Sequence, residues 1–272
     1  MAFIKADIKI LNHGITVPVN LYYPTDLPAE VGNKIKGVIT LLHGFSNTGS
    51  DWMMYTSAAR YAADNGYVLV APSAENSFYL DMKHGPAYHT IFTNDLPAQL
   101  RAIFHLPDER EKNFIAGLSM GGYGAMHLGL TQPKRYAAIG SFSGCLDVQL
   151  MLQLARQKTE TSAPFRAVFG DDLVATDEQD LLLLLHKVAA LPKEEQPRLF
   201  SSCGLQDDGF SRILTMCNNF DKVASALPLD YQYQTWAGVH EFNFWDRSLA
   251  EFISFIQNSN YSTKKRSDWT SL

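Results

Sequence analysis

A single serine lies between glycines in the segment GLSMG, residues 117–121, which fits the pattern G-x-S-x-G. The apolar run NFIAG (113–117) precedes the serine, and about ten residues of helical character follow it before Pro133. On a tight turn from strand to helix, small residues let the two elements pass close to an exposed nucleophile. Ser119 is therefore a candidate nucleophile, although the pattern alone also suits an ordinary serine in a glycine-rich loop.

A serine hydroxyl needs a general base to become nucleophilic, and three histidines follow Ser119 in the chain. His127 lies about two turns into the helix that leaves the serine, and His186 belongs to a leucine-rich segment. His240 follows the last predicted strand and begins the loop before the final helix. In the chain order serine, acid, histidine, His240 is the predicted base; the alternative is a histidine in a surface loop.

The base in turn needs a carboxylate that orients it. The loop after the penultimate predicted strand contains Asp207 and Asp208 within SSCGLQDDGF, residues 201–210. Asp207 is the predicted acid, and Asp208 is the alternative, or else a turn or cap residue for the helix that follows. Asp171 and Asp172 also follow an apolar run, but we expect them only to cap or turn there.

Acyl transfer by serine also requires two backbone amides that stabilise the oxyanion. One is predicted at Met120, directly after the nucleophile, and the other at Phe45, in the loop LLHGFSNTGSDW (41–52). Gly44 lets this loop approach the site closely. His43 precedes the acid in the chain and is expected to be structural.

The predicted strands and helices that position these residues indicate an α/β fold. After two initial strands, strands and helices alternate with short connections, which predicts a mostly parallel central sheet with helices on both faces. Helices are expected at about 51–64 and 92–105, after Gly121, and at the end of the chain. The predicted strands are 3–11, 15–23, 37–42, 67–71, 113–117, 136–144, 197–203 and 229–236.

Residues of about 145–196 break the alternation with two leucine-rich helical segments. We interpret them as a helical insertion, or cap, over the active site, with Leu150, Leu152 and Leu183 in an acyl pocket. The alternative is a pair of ordinary helices that cover the sheet. Five consecutive leucines at 181–185 cannot all face one core, so a homo-oligomer contact is also possible.

The segments LLHGFSNTGSDW, GLSMGGYGAM, CGLQDDGF and GVHEFNFWD together resemble the esterase D branch of the α/β-hydrolases, and bacterial tributyrin esterases and feruloyl or acetyl esterases in particular. The resemblance spans nearly the whole chain and implies Ser119, Asp207 and His240 as triad. It also implies the amides of Phe45 and Met120 as the oxyanion hole.

The expected function is a serine carboxylesterase for short-chain acyl esters such as tributyrin or acetyl esters, with neither cofactor nor metal. A feruloyl or cinnamoyl esterase is an alternative, for which Trp52 and Trp245 are candidate substrate-binding residues. An S-formylglutathione hydrolase is another, although Leu118 stands where such enzymes usually have histidine. Alternatives of other classes are an acyltransferase and a non-catalytic binding protein.

Composition and charge restrict the partners. The net charge is −5 and no basic run lies within a predicted element, so neither nucleic acid nor a membrane is an expected partner. The N-terminal residues 1–10 carry charges and do not resemble a signal peptide. The three cysteines have no CxxC spacing. These features lead us to expect one cytoplasmic domain over 1–272, with a flexible polar tail at 258–272.

Overall fold

A single eight-stranded sheet forms the centre of the molecule. The computed structural model describes residues 2–25, 35–157, 162–209 and 211–258. All eight predicted strands are confirmed. They are β1 Ala2–Ile10, β2 Ile15–Tyr23, β3 Gly37–Leu42, β4 Tyr67–Pro72, β5 Asn113–Leu118, β6 Ala138–Phe142, β7 Arg198–Gly204 and β8 Tyr231–Trp236.

The strand order is β1-β2-β4-β3-β5-β6-β7-β8. Strands β1 and β2 pair antiparallel with each other, and β2 pairs antiparallel with β4, whereas β3 to β8 run parallel. The carboxyl ends of the parallel strands therefore meet at one edge of the sheet. The loops that carry Phe45, Ser119, Asp207 and His240 all leave from this edge.

Helices cover both faces of the sheet. They are α1 Asp51–Tyr55, α2 Ala58–Asn65, α3 Tyr88–Thr90, α4 Leu96–Phe104, α5 Met120–Thr131, α6 Val148–Arg156, α7 Ala163–Phe169, α8 Leu181–Ala189, α9 Ile213–Ala224 and α10 Phe242–Gln257. A five-residue π-helix, Ile91–Asp95, joins α3 to α4. The predicted helix at 51–64 is two helices, because the backbone of Thr56 is extended between them.

Two buried apolar clusters lie on opposite faces of the sheet. One contains side chains of α4, α5, α8 and α9. The other contains side chains of α1, α2 and α10, among them Trp52, Ala62 and Phe252. The strands β3 to β7 contribute to both clusters, which explains why β3, β4 and β5 are almost continuously apolar.

The predicted insertion at about 145–196 contains the helices α6, α7 and α8, which pack against different parts of the molecule. Helix α8 packs against α5 and α9, and its Leu181, Leu184 and Leu185 are buried in the core. Helix α8 therefore contributes to the same buried apolar cluster as α5 and α9. Helix α7 instead contacts the loop that carries Phe45. Of the predicted flexible tail at 258–272, only residue 258 lies within the described residues.

No helix among the described residues combines the length and the apolar character that crossing a bilayer requires.

Candidate active site

Ser119 occupies the turn between β5 and α5 in a strained conformation. Its φ is 54° and its ψ is −118°, values that a residue with a side chain rarely adopts. A Cβ on Gly117 would lie 2.1 Å from the carbonyl oxygen of Gly121, and a Cβ on Gly121 would lie 2.3 Å from that of Leu42. The glycines of the motif are thus required by close backbone contacts, and the turn presents Ser119 at the amino end of α5.

The structure brings Ser119, His240 and Asp207 together in one hydrogen-bonded row. The distance from His240 Nε2 to Ser119 Oγ is 2.9 Å, and that from His240 Nδ1 to Asp207 Oδ2 is also 2.9 Å. Asp207 is 6% exposed, whereas the side chain of His240 is 36% exposed. A buried carboxylate can orient the imidazole, and an imidazole open to solvent can exchange a proton between serine, substrate and water.

Two backbone N–H groups beside Ser119 are free to bind an oxyanion. Met120 is the first residue of α5, so its N–H has no partner within the helix. Among the described residues, neither the N–H of Met120 nor that of Phe45 has a hydrogen-bond acceptor. A Cβ on Gly44 would lie 3.4 Å from Ser119 Cβ, so the loop of Phe45 touches Ser119. The partial positive charge at the start of α5 favours the same negative charge.

We call residues 43–46 the oxyanion loop. His43 Nε2 accepts a hydrogen bond from the N–H of Ala74 at 2.9 Å, and the Tyr79 hydroxyl donates to the His43 carbonyl oxygen at 2.9 Å. The Ser46 N–H donates to Asn76 Oδ1 at 2.7 Å. Burial lowers the pKa of His43 to about 4, so its imidazole is neutral at pH 7 and serves as a structural acceptor, as the sequence predicted.

Asp208, the alternative acid, has a different role from its neighbour. Its carboxylate accepts hydrogen bonds from the backbone N–H of Thr215 at 2.9 Å and from the Thr215 hydroxyl at 2.8 Å. It also lies 3.4 Å from the guanidinium of Arg212. Asp208 therefore ties the acid loop to the first turn of α9. The predicted minor roles of Asp171 and Asp172 agree with their exposed positions after α7.

The other histidines that follow Ser119 lie outside the hydrogen-bonded row of Ser119, His240 and Asp207. His186 is exposed on α8. His127 is buried, hydrogen-bonds through Nε2 to the Glu178 carbonyl oxygen at 2.9 Å, and stacks on Tyr123. His127 also lines a cleft of about 470 Å³ between α5 and α8. Ser119, Asp207 and His240 do not line this cleft. No group of three potential metal ligands occurs among the described residues.

The structure corrects the prediction that Trp52 and Trp245 bind substrate. Trp52 is fully buried in the core, where its indole N–H donates to the Leu42 carbonyl oxygen at 3.1 Å. Trp245 is 5% exposed, and its ring packs edge-on against His240 with centroids 4.9 Å apart. Trp245 thus packs against His240 and presents almost no surface to a ligand. The sequence placed both near the site but could not show which side faces the core.

Two of the three leucines predicted for the acyl pocket, Leu152 and Leu183, have other positions. Leu152 is fully buried in the core, and Leu183 is 42% exposed on the outer side of α8. Leu150 is half-buried on α6, against the same core. The side chains beside the oxyanion loop are instead aromatic: Phe165 of α7 and Phe78 both contact the ring of Phe45.

Sequence reasoning missed the residues that hold the site from outside its motifs. Asn76 and Phe165 belong to segments without a recognisable pattern, and only the folded chain brings them to residues 43–46. Cys145 also holds the site from outside the motifs, because its backbone N–H donates to the Ser119 carbonyl oxygen at 3.3 Å. Burial raises the pKa of the Cys145 thiol to about 12, so the thiol is neutral and not a competing nucleophile.

Comparisons with known proteins find a family model and a relative that match most of the chain. The model of the family described as "Putative esterase" matches residues 10–256. An acetyl esterase of Caldicellulosiruptor saccharolyticus is 30% identical over 259 residues, which cover 91% of this chain and 94% of that protein.

Two solved structures from Staphylococcus aureus have the same α/β-hydrolase fold, and each is 27% identical to this chain. The fluorophosphonate-binding serine hydrolase F matches with a TM-score of 0.81, over 94% of this chain and 98% of its own. An S-formylglutathione hydrolase matches with a TM-score of 0.78, over 94% of this chain and 99% of its own.

Proposed function

Because this chain belongs to that esterase family and is a carboxylic ester hydrolase, we propose that it cleaves short-chain acyl esters through an acyl-enzyme on Ser119. The observation that carries the proposal is the unbroken row from Asp207 through His240 to Ser119, with both hydrogen bonds at 2.9 Å. The similarity to an acetyl esterase supports a small acyl group.

The reaction proceeds in two halves. His240 Nε2 takes the proton of Ser119 while Oγ attacks the ester carbonyl, and the amides of Phe45 and Met120 bind the resulting oxyanion. The tetrahedral intermediate then expels the alcohol, which receives the proton from His240. In the second half, His240 takes a proton from water as the water oxygen attacks the acyl carbonyl, and then returns the proton to Oγ as the carboxylic acid leaves, which restores Ser119. Asp207 holds the imidazole in the tautomer that both halves require.

Water is the favoured acceptor over an alcohol. His240 is 36% exposed and Ser119 is half-buried, so bulk water can reach the acyl-enzyme. An acyltransferase must exclude that water to protect its intermediate. Hydrolysis should therefore dominate in dilute alcohol, and an ester product exceeding the free acid would contradict this.

The proposal is tested with p-nitrophenyl esters from acetate to decanoate, assayed for the natural chain and for Ser119→Ala. We expect the highest kcat/KM at acetate to butyrate. Loss of the nucleophile should lower kcat by more than about a thousandfold. Undiminished turnover by Ser119→Ala, or a maximum at decanoate, would refute the nucleophile or the acyl preference respectively. Methyl ferulate in the same panel tests the aromatic alternative.

A thioester substrate is the second candidate, and it rests on the S-formylglutathione hydrolase of similar fold. Leu118 precedes the nucleophile here and is 1% exposed, so it offers no polar group to glutathione. We therefore expect a kcat/KM for S-formylglutathione below that for p-nitrophenyl acetate. The reverse order would favour the thioester.

We further propose that the protein works in the cytoplasm. Cys145, Cys203 and Cys217 are free thiols buried in the interior, a state that a reducing compartment maintains. Cell fractionation with an antibody against the protein tests this, and recovery in the periplasmic or secreted fraction would contradict it.

A further inference from the structure

The ring of Phe45 is held by other aromatic rings, although the residues around it are held by hydrogen bonds. His43 and Ser46 are fixed by Ala74 and Asn76, as described above. The Phe45 ring lies 5.7 Å from that of Phe165, with only 14° between the two planes. This is a stacked arrangement, one of the geometries that aromatic pairs prefer.

Phe78 joins the two rings into a cluster. Its ring centroid lies 6.2 Å from that of Phe45 and 5.6 Å from that of Phe165. We call Phe45, Phe78 and Phe165 the phenyl cluster. Phe78 is buried, whereas Phe45 and Phe165 are half-buried, and the stacked ring of Phe165 covers one face of the Phe45 ring.

The ring and the N–H of Phe45 are attached to the same Cα, so a ring held by stacking restricts the φ and ψ angles that residue 45 can adopt. Without Phe165 the ring would lose its stacking partner, and the backbone of Phe45 would lose this restraint. An oxyanion donor must lie about 2.7–3.1 Å from the developing charge. A shift of about 1 Å in a catalytic group can reduce the rate by about a hundredfold.

We propose that Phe165, on α7, is a positioning residue that holds the Phe45 amide in the oxyanion hole. The inference rests on the proposed function, since it takes the Phe45 N–H as an oxyanion donor. The proposal assigns a role in the reaction to α7, which lies outside the sequence motifs and outside the hydrogen-bonded row of Ser119, His240 and Asp207. Helix α7 acts through Phe45 and need not touch the acyl group.

The test compares Phe165→Leu with Phe169→Leu. Both residues lie on α7 and both rings contact Phe78, but only Phe165 contacts the ring of Phe45. We expect Phe165→Leu to lower kcat about tenfold or more for p-nitrophenyl acetate and butyrate alike, with KM changed less than about threefold. Phe169→Leu should keep kcat within about twofold. An unchanged kcat in Phe165→Leu, or an equal loss in both variants, would overturn the proposal.

A trifluoromethyl ketone supplies a readout that a purely structural role would not change, since it forms a tetrahedral oxyanion on Ser119. Its inhibition constant should rise in Phe165→Leu by the factor that kcat/KM falls, and Phe165→Tyr, which retains a stacking ring, should restore both. An unaltered inhibition constant in Phe165→Leu would overturn the proposal. Failure of the natural chain to bind the inhibitor or react with a fluorophosphonate would instead refute the proposed function, so the two failures are distinguishable.

Discussion

Asp207 and Asp208 are neighbours in the chain, but their carboxylates face different partners. Asp207 contacts His240, and Asp208 contacts Thr215 and Arg212. Replacing the orienting carboxylate by an amide reverses the hydrogen-bonding preference of the imidazole, so Asp207→Asn should lower kcat by about ten-thousandfold. Steady-state kinetics with p-nitrophenyl butyrate measures the loss.

Asp208→Asn is the matched control, with the same chemical change one residue away. It should keep kcat within about threefold and reduce the free energy of unfolding by about 1 kcal/mol, because it weakens the tie to α9. If Asp208→Asn abolished activity while Asp207→Asn did not, the assignment of the two carboxylates would be reversed.

At the scale of residues, chain order predicted which three side chains come together. A nucleophile turn, an acid loop and a final histidine each follow a strand, and parallel strands bring such loops to one edge. The roles of Trp52 and Trp245 could not be read in the same way. An aromatic residue near a motif can face the core or the ligand, and the choice depends on packing across the sheet.

The turn between β5 and α5 depends on glycine for steric reasons that can be tested. A Cβ on Gly121 would lie 2.3 Å from the Leu42 carbonyl oxygen and 2.6 Å from that of His43. Both contacts are backbone and cannot yield without moving β3, so Gly121→Ala should cost about 3 kcal/mol of unfolding free energy and most of the activity. Urea denaturation measures the first quantity.

Gly209→Ala provides the comparison, because a Cβ there meets no atom within 4 Å. Its unfolding free energy should remain within about 0.5 kcal/mol of the natural chain. Equal stability of the Gly121 and Gly209 variants would contradict the close packing of strand and helix at the nucleophile.

Helix α8 offers a second test at this scale. Leu184 is 5% exposed in the core between α5 and α9, whereas Leu183 is 42% exposed. Leu184→Ala should cost about 2 to 4 kcal/mol through lost burial and the cavity left behind, and Leu183→Ala less than about 0.5 kcal/mol. Similar losses in urea denaturation would show that α8 is packed differently.

The strands and the final helix could be predicted because each carries its own local signal, an apolar run or a helical period. The position of α8 could not be predicted, because periodicity shows that a helix has a buried face but not which neighbouring elements pack against that face. The interruption between α1 and α2 was missed for a related reason. The Ser57 N–H hydrogen-bonds to Asp246, a residue near the other end of the chain.

The molecule as a whole should lose stability in mild acid. Burial lowers the pKa of His127 from 6.5 to about 4, and the protonated form is favoured only after unfolding. Between pH 6.5 and 4 the unfolded chain binds the extra proton, so the stability present above pH 6.5 falls as pH decreases. From pH 7 to 5 this histidine accounts for about 2 kcal/mol.

His127→Gln should therefore reduce the loss of unfolding free energy between pH 7 and 5 by about 2 kcal/mol. Urea denaturation of the variant and of the natural chain at pH 7 and pH 5 measures this difference. A pH dependence identical in His127→Gln and the natural chain would mean that the buried histidine does not contribute.

The most direct test of the account is to trap the acyl-enzyme. Protein mixed with p-nitrophenyl butyrate and quenched in acid during turnover should carry one butyryl group, and peptide mapping should place it on Ser119. The variant His240→Ala should acquire it far more slowly. A butyryl group on another residue, or turnover without any acylated protein, would contradict the central claim that Ser119 is the nucleophile of this hydrolase.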